Sequence, residues 1–182
     1  IKFCLDKENI KLEDLEAIAI SWNPIINLEK FDANSSSNPS YFPNILHSTI
    51  NNMMKDVKNV NKEFFLQSLP LKNGKKLKIF FVNHHLSHAS SFFISNFKEA
   101  SVLTVDAFGE NQCVGFYSAN KNKIKKVFEQ NFPHSLGSFY STFTEFCGFK
   151  PKSEEWKLMG ASAYGKNSFY QKKIDSLIKF EK

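Results

Sequence analysis

The chain has 182 residues, with 24 Lys plus Arg against 18 Asp plus Glu, 42% hydrophobic and 15% aromatic residues, and three cysteines. This length supports one or two domains with a sizeable core, and the composition excludes a disordered chain, a collagen and a disulfide scaffold. No apolar run approaches the roughly 20 residues of a membrane-spanning helix, which predicts a soluble protein.

Every basic residue is lysine. Arginine is the preferred bidentate reader of phosphates and bases, so its absence argues against sequence-specific DNA binding. The net charge of +6 reads as compositional bias, alongside 20 Phe and many Asn. Cys4, Cys113 and Cys147 have no paired spacing, which predicts a reducing compartment and buried free thiols. The first residues mix Lys, Asp and Glu where a leader needs an apolar stretch, so a cytoplasmic location is expected.

In chain order, residues 1–10 read as the last turns of a helix and residues 12–15 as a short acidic connector. Residues 16–22 (EAIAISW) predict a buried strand that Pro24 ends. Residues 34–40 (NSSSNPS) form a polar loop, and the three-to-four residue spacing of apolar side chains over 41–69 predicts one long or two consecutive helices. Met53 and Met54 on that face read as core. A turn at 72–76 leads to a buried strand at 77–82, then a helix over 84–93. Residues 100–105 form a strand ending at Asp106, and 114–119 with 124–129 a hairpin about a turn at 120–122. Residues 136–146 predict a helix with Phe139, Tyr140, Phe143 and Phe146 inward. A glycine-punctuated loop at 160–165 and a lysine-rich helix close the chain. The order is mixed α/β.

Three of the five histidines fall within Asn83-His84-His85-Leu86-Ser87-His88. On a helix His84 and His88 share one face, which suits two imidazoles holding one metal ion. By spacing alone, a polar helix start with solvated histidines fits equally well. Asp106 is the natural third ligand, since it stands at the carboxyl end of an apolar strand. The Asp106–Gln112 stretch can aim N–H groups at a phosphate, although an ordinary hairpin turn accounts for it too. Gly160 and Gly165 permit close backbone approach to a ligand.

Four stretches together resemble the O-carbamoyltransferases, the nodulation and antibiotic-tailoring enzymes that make carbamate esters. They are NHHLSHA (83–89), VLTVDAFGE (102–110), FPHSLGSFYSTFTEFCGF (132–149) and EEWKLMGASAYG (154–165), in the family's order and spacing. The amino-terminal module of that family is similar to the tRNA threonylcarbamoyl transferase and to actin and sugar kinases, in which two ribonuclease-H-like halves clamp a nucleotide. The resemblance implies that residues 1–96 are most of the first half, without its first hairpin, and that 97–182 begin a truncated second half. His84, His88 and Asp106 match the metal ligands, with iron or another divalent ion expected. Asp106–Gln112, with Gly109 and Glu110, matches the second phosphate loop. Gly137, Ser141, Glu155, Lys157 and Gly160 fall in segments like the nucleotide-binding side.

The implied chemistry is metal-assisted transfer of a carbamoyl group from carbamoyl-adenylate, made from ATP and carbamoyl phosphate in a separate domain, to the hydroxyl of a small acceptor. Nucleotide and acceptor are the expected partners, with a homo-oligomer possible and neither nucleic acid nor membrane expected. Ala107 stands where the family has Gly, Ser153-Glu154-Glu155 replaces its S-G-E, and residues 161–165 replace its L-A-P-Y-G. These departures touch the nucleotide loops and leave the metal set intact. Ile1 opens in mid-helix, so the chain reads as a piece of a longer enzyme, inactive alone. The competing expectations are a degenerate or split chain that keeps the fold as a partner-binding module, and another nucleotide-binding enzyme of the same superfamily.

Overall fold

The computed structural model describes residues 2–23, 63–166 and 169–179. The described elements begin with α1 (Lys2–Glu8), a 3-10 turn (Leu12–Asp14), β1 (Ala17–Ile20), β2 (Phe64–Pro70) and β3 (Lys76–Val82). Next come α2 (His84–Ala89), a 3-10 turn (Ser90–Ile94), β4 (Glu99–Gly109), β5 (Gln112–Asn120) and β6 (Lys123–Asn131). Last are α3 (Leu136–Phe146), α4 (Glu155–Ala161), a 3-10 turn (Ser162–Tyr164) and α5 (Gln171–Asp175). The class is α/β, as expected: a mixed sheet, an antiparallel sheet and flanking helices.

The chain divides into two compact units, Ile1–Leu136 and Gly137–Lys182. Both sheets lie in the first, and the boundary expected near residue 96 falls between them. The first sheet has the order β1-β3-β2, with β1 parallel and β2 antiparallel to β3. Its core side chains are Leu77 and Ile79 of β3 and Phe65 of β2. The second sheet is the meander β4-β5-β6. Two-residue turns join its strands, with Glu110 and Lys121 at φ values of 51° and 52° to reverse the chain within one tight step. Between Val105 and Gly109 the β4–β5 register shifts. Such a bulge re-aims side chains, and Asp106 stands at its start.

Several expectations need correction. The end of the helix expected over 41–69 is β2, and residues 41–62, with both methionines, lie outside the described residues, as does the polar loop at 34–40. β2 buries Phe65 and Gln67 on one face while Phe64 and Leu66 face out, so its two-residue period is not written in hydrophobicity. β1 forms, yet is mostly exposed: among the described residues it is an edge strand paired with β3 alone. Cys113 is buried, but Cys4 and Cys147 are exposed. On α3 the inward aromatic face is partial: Phe146 and Tyr140 are exposed, and only Thr144 is fully covered. The loop expected from Gly160 is helical through Ala161. Within the Asp106–Gln112 stretch, Asp106 to Gly109 are bulged strand and the hairpin turn falls at Glu110–Asn111. No helix among the described residues is long and apolar enough to cross a membrane.

Candidate metal centre

α2 starts immediately after β3, with Asn83 as its cap: the side-chain Oδ1 accepts from the Leu86 amide at 3.1 Å. This fixes the first turn, and the four-residue spacing then brings His84 and His88 onto one face. Their Nε2 atoms are 3.0 Å apart. The bulge in β4 presents Asp106 to the same point: Oδ2 lies 2.9 Å from His84 Nε2 and 3.4 Å from His88 Nε2. Among the described residues these three form the one group of His, Cys, Asp and Glu placed to hold a metal ion.

The hydrogen bonds around His84 decide what its ring can do. Nδ1 lies 3.0 Å from the Ser21 carbonyl, which only accepts, so Nδ1 carries the proton. In the neutral ring Nε2 is then a lone pair facing a carboxylate oxygen at 2.9 Å. Two acceptors in contact repel unless a proton on Nε2 or a cation lies between them. Neighbouring ligand atoms around a cation with bonds of about 2.0–2.1 Å stand roughly 3 Å apart. The three separations, 2.9, 3.0 and 3.4 Å, fit that requirement. A carbonyl holding the far nitrogen is also the usual way a metal-binding imidazole is oriented.

Asp106 is held as firmly. Its Oδ1 accepts from the Ala107 amide at 2.7 Å, leaving Oδ2 for the histidines. Burial pushes its carboxyl upward, but the His84 bond, the Ala107 amide and the nearby imidazoles outweigh it and hold the pKa below the ordinary value. The Ser135 hydroxyl donates to the Ala107 carbonyl at 2.6 Å, satisfying a group that the bulge frees from the ladder.

His85, on the other side of α2, pins the helix to the second sheet. Its ring is fully buried, with Nε2 donating to the Gln112 carbonyl at 2.9 Å and Nδ1 2.8 Å from Thr104 Oγ1. Burial lowers its pKa, so the ring is neutral and Nδ1 accepts from the threonine. The sequence marks it only as the histidine pointing elsewhere. Two strand glycines carry a clearer signal, since glycine inside a strand marks close approach. A Cβ on Gly109 would sit 2.4 Å from the His84 ring, and one on Gly115 2.4 Å from the Gln112 amide nitrogen.

The remaining expected site residues separate by unit. Gly109 and Glu110 stand beside His84, and the Glu110 carboxylate accepts from the His84 amide. Gly137, Ser141, Glu155, Lys157 and Gly160 are in the second unit. There Ser141 Oγ donates to Glu155 Oε1 at 2.6 Å, Lys157 pairs with Glu154, and Gly160 faces open space.

Two imidazoles and a carboxylate, carried on a short helix and a bulged strand of an α/β frame, form a donor set suited to a divalent cation. The chain that carries it belongs to the carbamoyltransferase family, matching the family described as carbamoyltransferase N-terminus over residues 1–181. It is 33% identical to the uncharacterized protein sll1178 of Synechocystis, over 98% of this chain and 30% of that protein. It is 38% identical to an uncharacterized protein of Methanocaldococcus jannaschii, over 48% of this chain and 17% of that protein. With the nodulation protein NolNO of Sinorhizobium fredii it shares 34% identity, over 48% of this chain and 13% of that protein. The chain thus spans under a third of the length of these relatives.

Proposed function

We propose that this chain supplies the metal-bearing part of a carbamoyltransferase that moves a carbamoyl group from carbamoyl-adenylate to an acceptor hydroxyl. Family membership gives the transferase class. The observation that carries the finer reading is the meeting of His84 Nε2, His88 Nε2 and Asp106 Oδ2 within 3.4 Å of one another. In the reaction, the acceptor oxygen forms a bond to the carbamoyl carbon, the bond from that carbon to the phosphate oxygen breaks, AMP departs and the hydroxyl proton is lost. A divalent ion at the cluster, iron being the first expectation, would supply Lewis-acid polarisation of the carbamoyl carbonyl or hold its phosphate.

The residues of the chain do the positioning. Ser21 and Asp106 orient His84, the bulge aims Asp106, and α2 sets His88 one turn from its partner. The hairpin meander β4-β5-β6 following a mixed sheet supports an actin- and sugar-kinase-like frame with a nucleotide between its halves. Gly137, Ser141, Glu155, Lys157 and Gly160 are proposed for the nucleotide side on the resemblance of their segments, and a small hydroxyl compound is proposed as the acceptor.

The test is metal analysis of purified wild type, His84→Ala and Asp106→Asn. Wild type is expected to hold about one equivalent of divalent metal, and both variants to lose most of it. Equal metal in all three proteins would overturn the metal-assisted reading while leaving family membership untouched.

A further inference from the structure

Glu110 is expected, by resemblance, on the phosphate loop, yet its carboxylate is turned the other way. It is buried, 8% exposed, between the end of β1, the start of α2 and the β4–β5 turn. Oε1 accepts from the Asn23 amide at 2.6 Å. The His84 amide donates to both oxygens, at 3.1 and 3.2 Å, and the Asn83 side-chain amide donates to Oε2 at 3.3 Å. A carboxyl whose oxygens are so engaged is a poor partner for a phosphate.

We propose that Glu110 is a positioning residue: its carboxylate is the brace that holds His84 in its ligating orientation. The proposal rests on the metal reading above for its consequence, but on local geometry for the brace itself. Two chain segments distant in sequence from Glu110 donate to this carboxylate, one at Asn23 and one at Asn83 and His84, and each also touches His84 or carries it. Just before Asn23, Ser21 accepts from His84 Nδ1 and Trp22 packs edge-on to the ring, with centroids 5.8 Å apart. Asn83 caps the helix that starts at His84. Gly109, adjoining Glu110, leaves the ring the space that a Cβ would occupy.

Glu110 itself is held at φ 51°, a region that favours glycine and asparagine. A side chain with three amide donors offsets that strain, and asparagine or glycine at this place could not reach them. His88 has no comparable support. It is half exposed, and among the described residues its side chain meets His84, Asp106 and, edge-on, the His85 ring. The cluster is therefore rigid at His84 and adjustable at His88, so loss of the brace is expected to act through His84.

The experiment compares wild type, Glu110→Gln and Leu77→Val, the last a mild core change in β3 away from the cluster. Glutamine keeps the size but turns an amide NH2 toward donors. Two quantities are read on folded protein at one pH: Co2+ affinity from visible absorption, and the 15N pattern of the His84 ring, which reports the Nδ1–H form held against Ser21. Glu110→Gln is expected to weaken Co2+ binding about 10–100-fold and to lose the single ring form. Leu77→Val is expected to melt lower while keeping both. Glu110→Gln matching wild type in both readouts, or Leu77→Val losing both as fully, would overturn the proposal. If wild type binds no Co2+ but only Glu110→Gln loses the ring form, the metal reading falls and the brace stands.

Discussion

The two units hold their polar groups in opposite ways. In the first, the groups that face the cluster are tied to backbone from distant segments: His84 to Ser21, Glu110 to Asn23, His85 to Gln112. In the second, the expected nucleotide residues pair side chain to side chain, Ser141 with Glu155 on the next helix and Lys157 with Glu154 in its own first turn. The carboxyls of Glu155 and Glu154 are held below their ordinary values, by the Ser141 hydroxyl and by Lys157 respectively, but both lie at the surface where water screens such bonds. Phe146, Trp156, Met159 and Tyr164 are also exposed there. Long-range ties to backbone fix geometry before a ligand arrives; pairs between partly exposed side chains leave it adjustable. The first unit is preorganised in a way the second is not.

Glycine substitution tests this difference most directly. Gly109→Ala drives a Cβ to 2.4 Å from the His84 ring and to 2.5 Å from its Cβ. Neither the pinned ring nor the braced backbone can give way. The expected cost is about 1–3 kcal/mol, the range for overpacking a filled site. Chemical denaturation measures that cost, and loss of bound metal should accompany it. A variant as stable as wild type with its metal retained would show that the cradle is looser than its distances imply.

The alkaline limb of stability comes next. Burial raises the pKa of the Tyr117 phenol above its ordinary 10.0, with the Gln112 amide pulling the other way, and burial raises the Cys113 thiol above 9.0, against the Ser135 hydroxyl. A raised folded pKa contributes stability that is complete below the unfolded value and is lost as pH climbs toward the folded one. Stability should therefore hold up to about pH 8–9 and then fall, each group adding at most about 1.4 kcal/mol per pH unit. Tyr117→Phe loses its bond with Gln112 at neutral pH, so it starts below wild type. The gap should narrow as pH rises above about 10, because phenylalanine has nothing to ionise. A gap that stays constant in denaturant titrations across that range would remove Tyr117 from the account.

Residues tied over long range were the hard ones to see in the sequence, and locally determined ones the easy ones. The four-residue histidine spacing and the carboxylate at a strand end needed only a helix and a strand in the right order. Glu110 sits among turn residues, and nothing near it names Asn23 as its partner 87 positions away. β2 was hidden because Gln67 occupies a buried position beside Phe65, which breaks the apolar alternation a strand normally writes. The clearest unread signals were Gly109 and Gly115, where a strand without side chains leaves room for the His84 ring and the Gln112 amide. The segments proposed for the nucleotide rest on resemblance alone, since their side-chain pairs would look the same in any surface helix pair.

The smallest expected effect lies in the second unit and has the opposite sign. Gly160 falls within α4, and a Cβ built there meets nothing within 4 Å. Glycine costs a helix roughly 0.5–1 kcal/mol relative to alanine, through the freedom it keeps when unfolded. Gly160→Ala should therefore stabilise by about that amount, and its bound metal should match wild type, since His84, His88 and Asp106 lie in the other unit. The open space has a second consequence. If Gly160 is reserved for close approach of a nucleotide, alanine should weaken ATP binding while it raises the melting temperature. Stabilisation with unchanged ATP affinity would assign Gly160 to helix α4 alone. Destabilisation would mean that the space beside it is filled in the folded protein. The same kind of substitution thus loses stability where side chains are braced and gains it where the backbone is merely uncovered.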